Sequence, residues 1–321
     1  MAAAGAASPR AVVELFVRKQ PFRSIQIVAT PGSGNGRCFA TARALQGALE
    51  RKGHRVALAT FRDLDRLQAW GCRPRGDFSL LVCVGGDGTM DAVAGTAIAR
   101  FAPILPVPAG FGDLFGRALG CPRDVASVVA LADGGGEIVG LDVGLKDGVA
   151  FLCHESFGFI HDIQDRTERA FWTPQHRGLR LAAYFRTALR HLVDTPLEPM
   201  RVVVDGRPLA HDAIVATIAN VETYGSWLRL TPDASPVDGL FDVFLVRQTT
   251  KRRMLAKLVA FHLGLAREDP HVVVGRGSAV AISDGKGFRA DLVVAPRSLR
   301  FLVTPAAARA LSAGAPARRV A

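Results

Sequence analysis

The sequence predicts an α/β fold: a doubly wound sheet over residues 23–137, then a mainly antiparallel β-sandwich over 138–304, with a disordered N-terminus (1–22) and a flexible C-terminus (305–321). Three observations predict it. Short aliphatic runs alternate with helix-spaced segments in the first half, and those runs end in glycine-rich loops. After Gly134-Gly135-Gly136 the rhythm changes to strand pairs joined by Asp-Gly. A chain of 321 residues is also long enough to bury two cores.

The first strand is Ile25 to Thr30, followed by the loop Pro31 to Arg37 and a helix from about Phe39. Ala42, Leu45 and Leu49 fall on one face of that helix, and Gly53 suits its C-terminal cap. A second strand ends at Thr60. The third, Ser79 to Val84, is apolar on both faces, as a buried parallel strand should be, and runs directly into Gly85-Gly86-Asp87-Gly88-Thr89 and another helix. Then come Ile104 to Val107, the loop 108–113, and helices near 114–119 and 124–133. In the second half, Asp147-Gly148, Asp205-Gly206 and Asp284-Gly285 mark hairpins, and helices are expected near 178–194 and 251–266.

The net charge of +11, from 40 basic and 29 acidic residues, favours anionic partners without choosing among nucleotide, phospholipid surface and nucleic acid. Nucleic acid ranks last, because aromatic residues make up only 7% and no nucleic-acid-binding signature is present. Five cysteines without a CxxC pair suggest neither a zinc site nor a disulfide framework, and they fit a reducing cytosol. No signal-peptide pattern and no run of 18 apolar residues occurs, so the expectation is a cytoplasmic protein that neither leaves the cell nor spans a membrane.

Gly85 to Thr89 carries the strongest chemical signal. A glycine-rich turn between a buried strand and a helix directs main-chain N–H groups at an anion, and the helix dipole adds partial positive charge. Asp87 in that turn is placed to accept a hydroxyl proton or to act on a magnesium ion. The same residues also suit an ordinary tight strand-to-helix turn, and no Gly-Lys-Ser/Thr follows.

In its company the loop resembles the diacylglycerol kinase catalytic family, which includes bacterial lipid kinases and sphingosine kinases and, more distantly, the NAD kinases. Residues 30–36 resemble the family's NPxSGxG, Gly85 to Ala92 its GGDGTxNE, and Pro108 to Gly120 its PxGTxNDFxRxLG. Leu230 to Val243 resemble LAPxAxxDDGxxDV. The resemblance covers residues 24 to about 304 and implies a Rossmann-like nucleotide-binding domain followed by a lipid-binding sandwich. It implies ATP on Ser33, Gly34, Thr60, Gly85, Gly86, Asp87, Gly88, Thr89, Gly110 and Gly112, with Mg2+ held at Ser235, Asp238 and Leu240. The function implied is ATP-dependent phosphorylation of a lipid hydroxyl, of diacylglycerol or sphingoid type; the alternative is a non-catalytic relative that binds lipid or a partner.

The chain departs from the family pattern at several positions. The family's general base is a Glu directly after an Asp-Gly turn, and the matching stretch, Ser283-Asp284-Gly285-Lys286, has a lysine there. A lysine of ordinary pKa is cationic at neutral pH and cannot remove a proton. Asp91, Ala92, Phe111 and Asp113 replace the family's Asn, Glu, Thr and Asn. The catalytic carboxylates to consider are therefore Asp87 and Asp284. Two basic amphipathic stretches, 179–192 and 251–258, suit either the solvated face of a core-packing helix or peripheral contact with an anionic inner-membrane surface.

Overall fold

The computed structural model describes residues 15–17, 21–30, 37–72, 77–96, 99, 101–110, 112–171, 190–191, 193–222, 224–225, 228–263 and 269–313. In chain order the elements are β1 (Leu15–Val17), β2 (Ser24–Ala29), α1 (Arg37–Arg51), β3 (Arg55–Thr60), α2 (Leu64–Gly71), β4 (Leu80–Gly85), α3 (Asp87–Ala94), β5 (Ile104–Pro108), α4 (Leu114–Ala118) and α5 (Val125–Ala130). They continue with β6 (Glu137–Lys146), β7 (Val149–Phe151), β8 (His154–Gly158), α6 (Phe159–Phe171), β9 (Met200–Val204), β10 (Arg207–Ala219), β11 (Tyr224–Gly225) and β12 (Leu228–Arg229). The last are β13 (Phe241–Arg247), α7 (Lys251–His262), β14 (Val272–Gly277), β15 (Ala279–Asp284), β16 (Arg289–Val303) and α8 (Pro305–Ser312).

The chain forms two compact units: residues 1–153, 235–239 and 294–321 make the first, and 154–234 and 240–293 the second. In the first, β2, β3, β4 and β5 pair in parallel in the order β5-β4-β2-β3. The central strand β4 is buried at all six residues, whereas the edge strand β3 alternates exposed and half-buried positions. On α1, Cys38, Ala42, Leu45 and Leu49 are buried at helical spacing and join Ile25, Ile27, Leu80, Val82 and Val84 in one core.

The second unit is an antiparallel sandwich. β10 is its spine: it pairs with β9 along its first half and with β8 and β13 along its second, with register shifts near Pro208–Ala213 that let one strand serve both sides. β13 pairs with β14, and β9 with β15. Phe159, Ile214, Phe244, Val246 and Met254 lie in its core.

Two of the expected hairpins form as the Asp-Gly signal requires. Asp147 and Gly148 have φ of 49° and 83°, and Asp205 and Gly206 have 47° and 77°, as a two-residue turn of primed type demands. The third differs: Ser283 pairs with Arg289, so four residues follow Asp284 before pairing resumes, and the left-handed position is Gly287 rather than Gly285.

Three expected boundaries also need correction. Order begins before residue 23, because β1 pairs with β6 and Phe22 is buried with its N–H on the Ala132 carbonyl. The first unit extends to Cys153 rather than to 137, since the Leu152 N–H donates to Asp91 on α3. The stretch expected to be flexible after 304 begins with α8, which buries Ala307, Ala308 and Leu311 behind a Thr304 cap and a proline in its first turn. The helix expected at 178–194 lies mostly outside the described residues, while that at 251–266 is α7.

Candidate active site

Parallel pairing sets the carboxyl ends of β2, β3, β4 and β5 side by side, with Ala29 opposite Thr60 and Val84, and Gly85 opposite Pro108. Loops that leave such an edge form the ligand crevice of an open α/β sheet. Thr60, Gly85 to Thr89, Gly110 and Gly112 are thereby gathered at one edge of the first unit. Ser33, Gly34 and Phe111 lie outside the described residues.

Gly86 is the N-cap of α3 and supplies no side chain, and its carbonyl accepts from the amides of Thr89 and Met90. Among the described residues no hydrogen bond engages the Asp87 and Gly88 amides, which head the helix as open donors. Glycine is needed around them for space. A Cβ on Gly110 would sit 2.5 Å from the Gly86 Cα, and one on Gly85 would sit 2.5 Å from the Thr89 Oγ1. Thr89 in turn shares a buried 2.7 Å hydrogen bond with the Thr30 hydroxyl, fastening α3 to the end of β2. Behind the turn is a cavity of about 10 Å3 lined by Gly85, Gly86, Asp87, Pro108, Asp113 and Gly116 among others, room for about one water.

Each acidic side chain of this edge is directed at main chain. Asp87 accepts from the Leu114 and Phe115 amides, both at 3.0 Å, and so caps α4 from another loop. The Cys153 thiol also points at Asp87, at 3.7 Å, and burial followed by that carboxylate pushes its pKa up. Asp91 accepts from the Leu152 amide at 2.8 Å. Asp113, with φ 50° and 2% exposed, accepts from the Gly110 amide at 2.8 Å and from the Arg123 guanidinium at 3.1 Å. Burial raises its pKa, and Gly110 and Arg123 work against that rise.

Asp284 and Lys286 lie in the second unit. The Asp284 Oδ1 accepts from the Lys286 and Phe288 amides at 2.9 and 2.8 Å and closes its own turn. The Lys286 ammonium sits 2.5 Å from Glu198 Oε1, and that hydrogen bond raises the lysine pKa further, so the group is a held cation.

Ser235 and Asp238 return to the first unit, and Leu240 opens the next stretch of the second. Asp142, 1% exposed, accepts from the Gly239 and Arg297 amides at 2.7 and 2.8 Å and fixes this excursion. Asp238 is close enough to raise the Asp142 pKa, behind the larger effect of burial. Asp238 and the neighbouring carbonyls are the hard oxygen donors that Mg2+ takes, but among the described residues no cluster of three His, Cys, Asp or Glu side chains could hold a metal.

Two family models match consecutive stretches that follow this architecture: the diacylglycerol kinase catalytic domain over residues 24–144, and the YegS C-terminal NAD kinase beta sandwich-like domain over 157–309. The chain thus carries a diacylglycerol kinase catalytic domain joined to a YegS-type C-terminal domain. It is 26% identical over 284 residues to the diacylglycerol kinase of Mycobacterium tuberculosis strain H37Rv, covering 83% of this chain and 87% of that protein. It is 28% identical over 285 residues to a YegS-like lipid kinase of Pseudomonas aeruginosa strain UCBPP-PA14, covering 86% and 91%. A diacylglycerol kinase structure from Bacillus anthracis str. Sterne shares the fold with a TM-score of 0.63 at 16% identity, over 90% of this chain and all of that one.

Motif reading did not single out Glu198, Arg123 or Asp142. Glu198 meets Lys286 across 88 positions of sequence and had no local signal. Arg123 follows Asp113 by ten residues in a basic chain, where one more arginine carries no mark. Asp142 interrupts an apolar strand, Ile138 to Val143, and an acidic residue in such a run is the kind of signal that could have found it.

Proposed function

We propose that this protein transfers the γ-phosphate of ATP to the hydroxyl of a lipid of diacylglycerol or sphingoid type. The observation that carries the reading is the pair of open amides, Asp87 and Gly88, heading α3 at the carboxyl edge of the parallel sheet. Gly85, Gly86, Gly88, Gly110 and Gly112 would let phosphate approach main chain, with Thr60, Thr89, Ser33 and Gly34 completing the ATP set. Mg2+ would accompany ATP, and Ser235, Asp238 and Leu240 would hold a separate ion. The work would be done on the cytoplasmic side of a membrane. That setting is supported by the ATP donor proposed here and by the lipid-kinase names of the relatives; among the described residues no helix is long and apolar enough to cross a bilayer.

The geometry supports a positioning role for Asp87, since both its oxygens accept from the amides of the 113–115 turn. Asp284 is engaged by its own hairpin in the same manner. Phosphoryl transfer draws mainly on positioning and charge stabilisation, so a site without an unengaged carboxylate base is expected to be slow rather than inert.

The test is ATP titration with and without Mg2+, followed by radiolabelled phosphate transfer to a mixed lipid extract. Binding with slow transfer to lipid is the expected result, and Asp87→Asn should weaken both. A second reading, a non-catalytic lipid or partner binder, is favoured by one observation: Lys286 stands paired with Glu198 where the resemblance puts a base. Absence of ATP binding together with co-purifying lipid would replace the first reading with the second.

A further inference from the structure

We infer that α7 is a docking surface for an anionic phospholipid bilayer. The inference rests on the lipid-acceptor reading above, because a bilayer is where such an acceptor resides. The helix is fixed to the second unit by one side: Met254 is fully buried against Phe159, Ile214, Phe244 and Val246, and Leu255 packs beside it. The other side is open. Arg252, Ala256, Val259 and Leu263 recur at spacings of four, three and four along the helix and its last turn, and all four are exposed. Val259 is 50% and Leu263 61% exposed, on a face where a solvent-facing helix would carry polar residues.

The cations of α7 divide the same way. Lys251 donates to the Val193 carbonyl at 2.5 Å and lies over the Phe159 ring, and Lys257 is paired with Asp269. These two are occupied with the protein. Arg252 and Arg253 are exposed and, among the described residues, have no carboxylate partner. An apolar stripe with two unengaged guanidinium groups at one end matches a surface that is anionic outside and hydrocarbon within. Both the net charge of +11 and the arginines favour an anionic occupant over a neutral one. A second copy of the chain would bring the same positive charge to the contact.

The experiment is co-sedimentation of the full chain with vesicles of phosphatidylcholine alone and of phosphatidylcholine mixed with phosphatidylglycerol. Binding is expected to the mixed vesicles, to be weak on the neutral ones, and to fall as salt is raised. Arg252→Glu with Arg253→Glu should weaken it on the order of 25-fold or more, taking about fivefold for each cation lost. Val259→Ser with Leu263→Ser should weaken it about tenfold while leaving the salt dependence in place. All four positions are exposed, so far-UV circular dichroism and the unfolding midpoint should not move in either variant. Equal binding to both vesicle types, or binding indifferent to both variants, would overturn the inference. So would a sedimentation-velocity dimer that Val259→Ser with Leu263→Ser dissolves, which would assign the face to a second copy. Vesicle binding is read without turnover, and phosphate transfer by the unmodified protein to a short-chain, water-dispersed diacylglycerol is read without vesicles. A protein that binds vesicles but transfers nothing loses the kinase reading and keeps the docking surface, and the reverse pattern removes docking alone.

Discussion

The turn that heads α3 and the turn that joins β15 to β16 each begin from an aspartate beside glycine, and they are built on opposite principles. In the first, the surroundings crowd the main chain: Gly110 abuts Gly86, Gly85 abuts Thr89, and Asp87 holds two amides of a distant loop. In the second, Asp284 closes its own hairpin, open space surrounds Gly285 and Gly287, and Lys286 reaches outward to Glu198. A crowded turn constrains backbone shape and tolerates chemical change only where the new side chain finds a main-chain partner, as Asp91 and Asp113 do. An open turn constrains almost nothing at its tip, so the side chain there is free to change from a carboxylate to a cation without cost to the fold.

Gly110→Ala should break the crowded turn most severely. Its methyl group would meet the Gly86 backbone and the buried, hydrogen-bonded Asp113 carboxylate, neither of which can swing away, and the loss is expected near the upper end of overpacking, about 3 kcal/mol, with ATP binding abolished. Urea unfolding and nucleotide titration check it. Asp87→Ala comes next, because it removes the acceptor of two amides at about 1 to 1.5 kcal/mol each, while Asp87→Asn should retain part of the cap. The same unfolding measurement separates the two variants.

Lys286→Glu probes the open turn and should lower the unfolding midpoint only slightly, since it exchanges an exposed ion pair with Glu198 for a like-charge contact. If a carboxylate at that tip is what the site lacks, phosphate transfer should rise about tenfold or more, read as initial rate with a lipid acceptor. An unchanged rate would place the rate limit in the crowded turn instead. The smallest effect is expected from Asp113→Asn. The folded-state pKa of Asp113 is raised by burial, so the folded protein holds its proton to higher pH than the unfolded chain does. The folded state binds more protons in that window, and stability from this group therefore falls as pH rises from about 4 through the raised pKa. Asn keeps an acceptor for Gly110 and does not titrate, so the difference in unfolding free energy between variant and parent should shift in favour of the variant across that window.

The motif-bearing loops were legible because their residues are local. A buried strand that runs into Gly85-Gly86-Asp87-Gly88-Thr89 announces its turn without help from elsewhere, and Asp147-Gly148 and Asp205-Gly206 announce theirs through the φ values they allow. Asp284-Gly285 carries the same letters and forms a longer turn, because the register of β15 against β16 set the loop length. The helix after Thr304 was legible as well, since Thr-Pro followed by alanine is a helix start, but its position near the chain end obscured it. Asp91 and Asp113 read in sequence only as departures from two asparagines of the family pattern. What that reading lacked was their acceptance of main-chain amides, one of them 61 residues away.

By itself the sequence determined the order of strands and helices, the parallel-to-antiparallel change, and which turns would be built of glycine, because each follows from periodicity and from the φ angles single residues permit. Only the tertiary structure decided where the carboxylates spend their hydrogen bonds, that Lys286 is held by Glu198, and that α7 turns two arginines and an apolar stripe outward. Those outcomes depend on groups remote in the chain that meet only once the cores have closed.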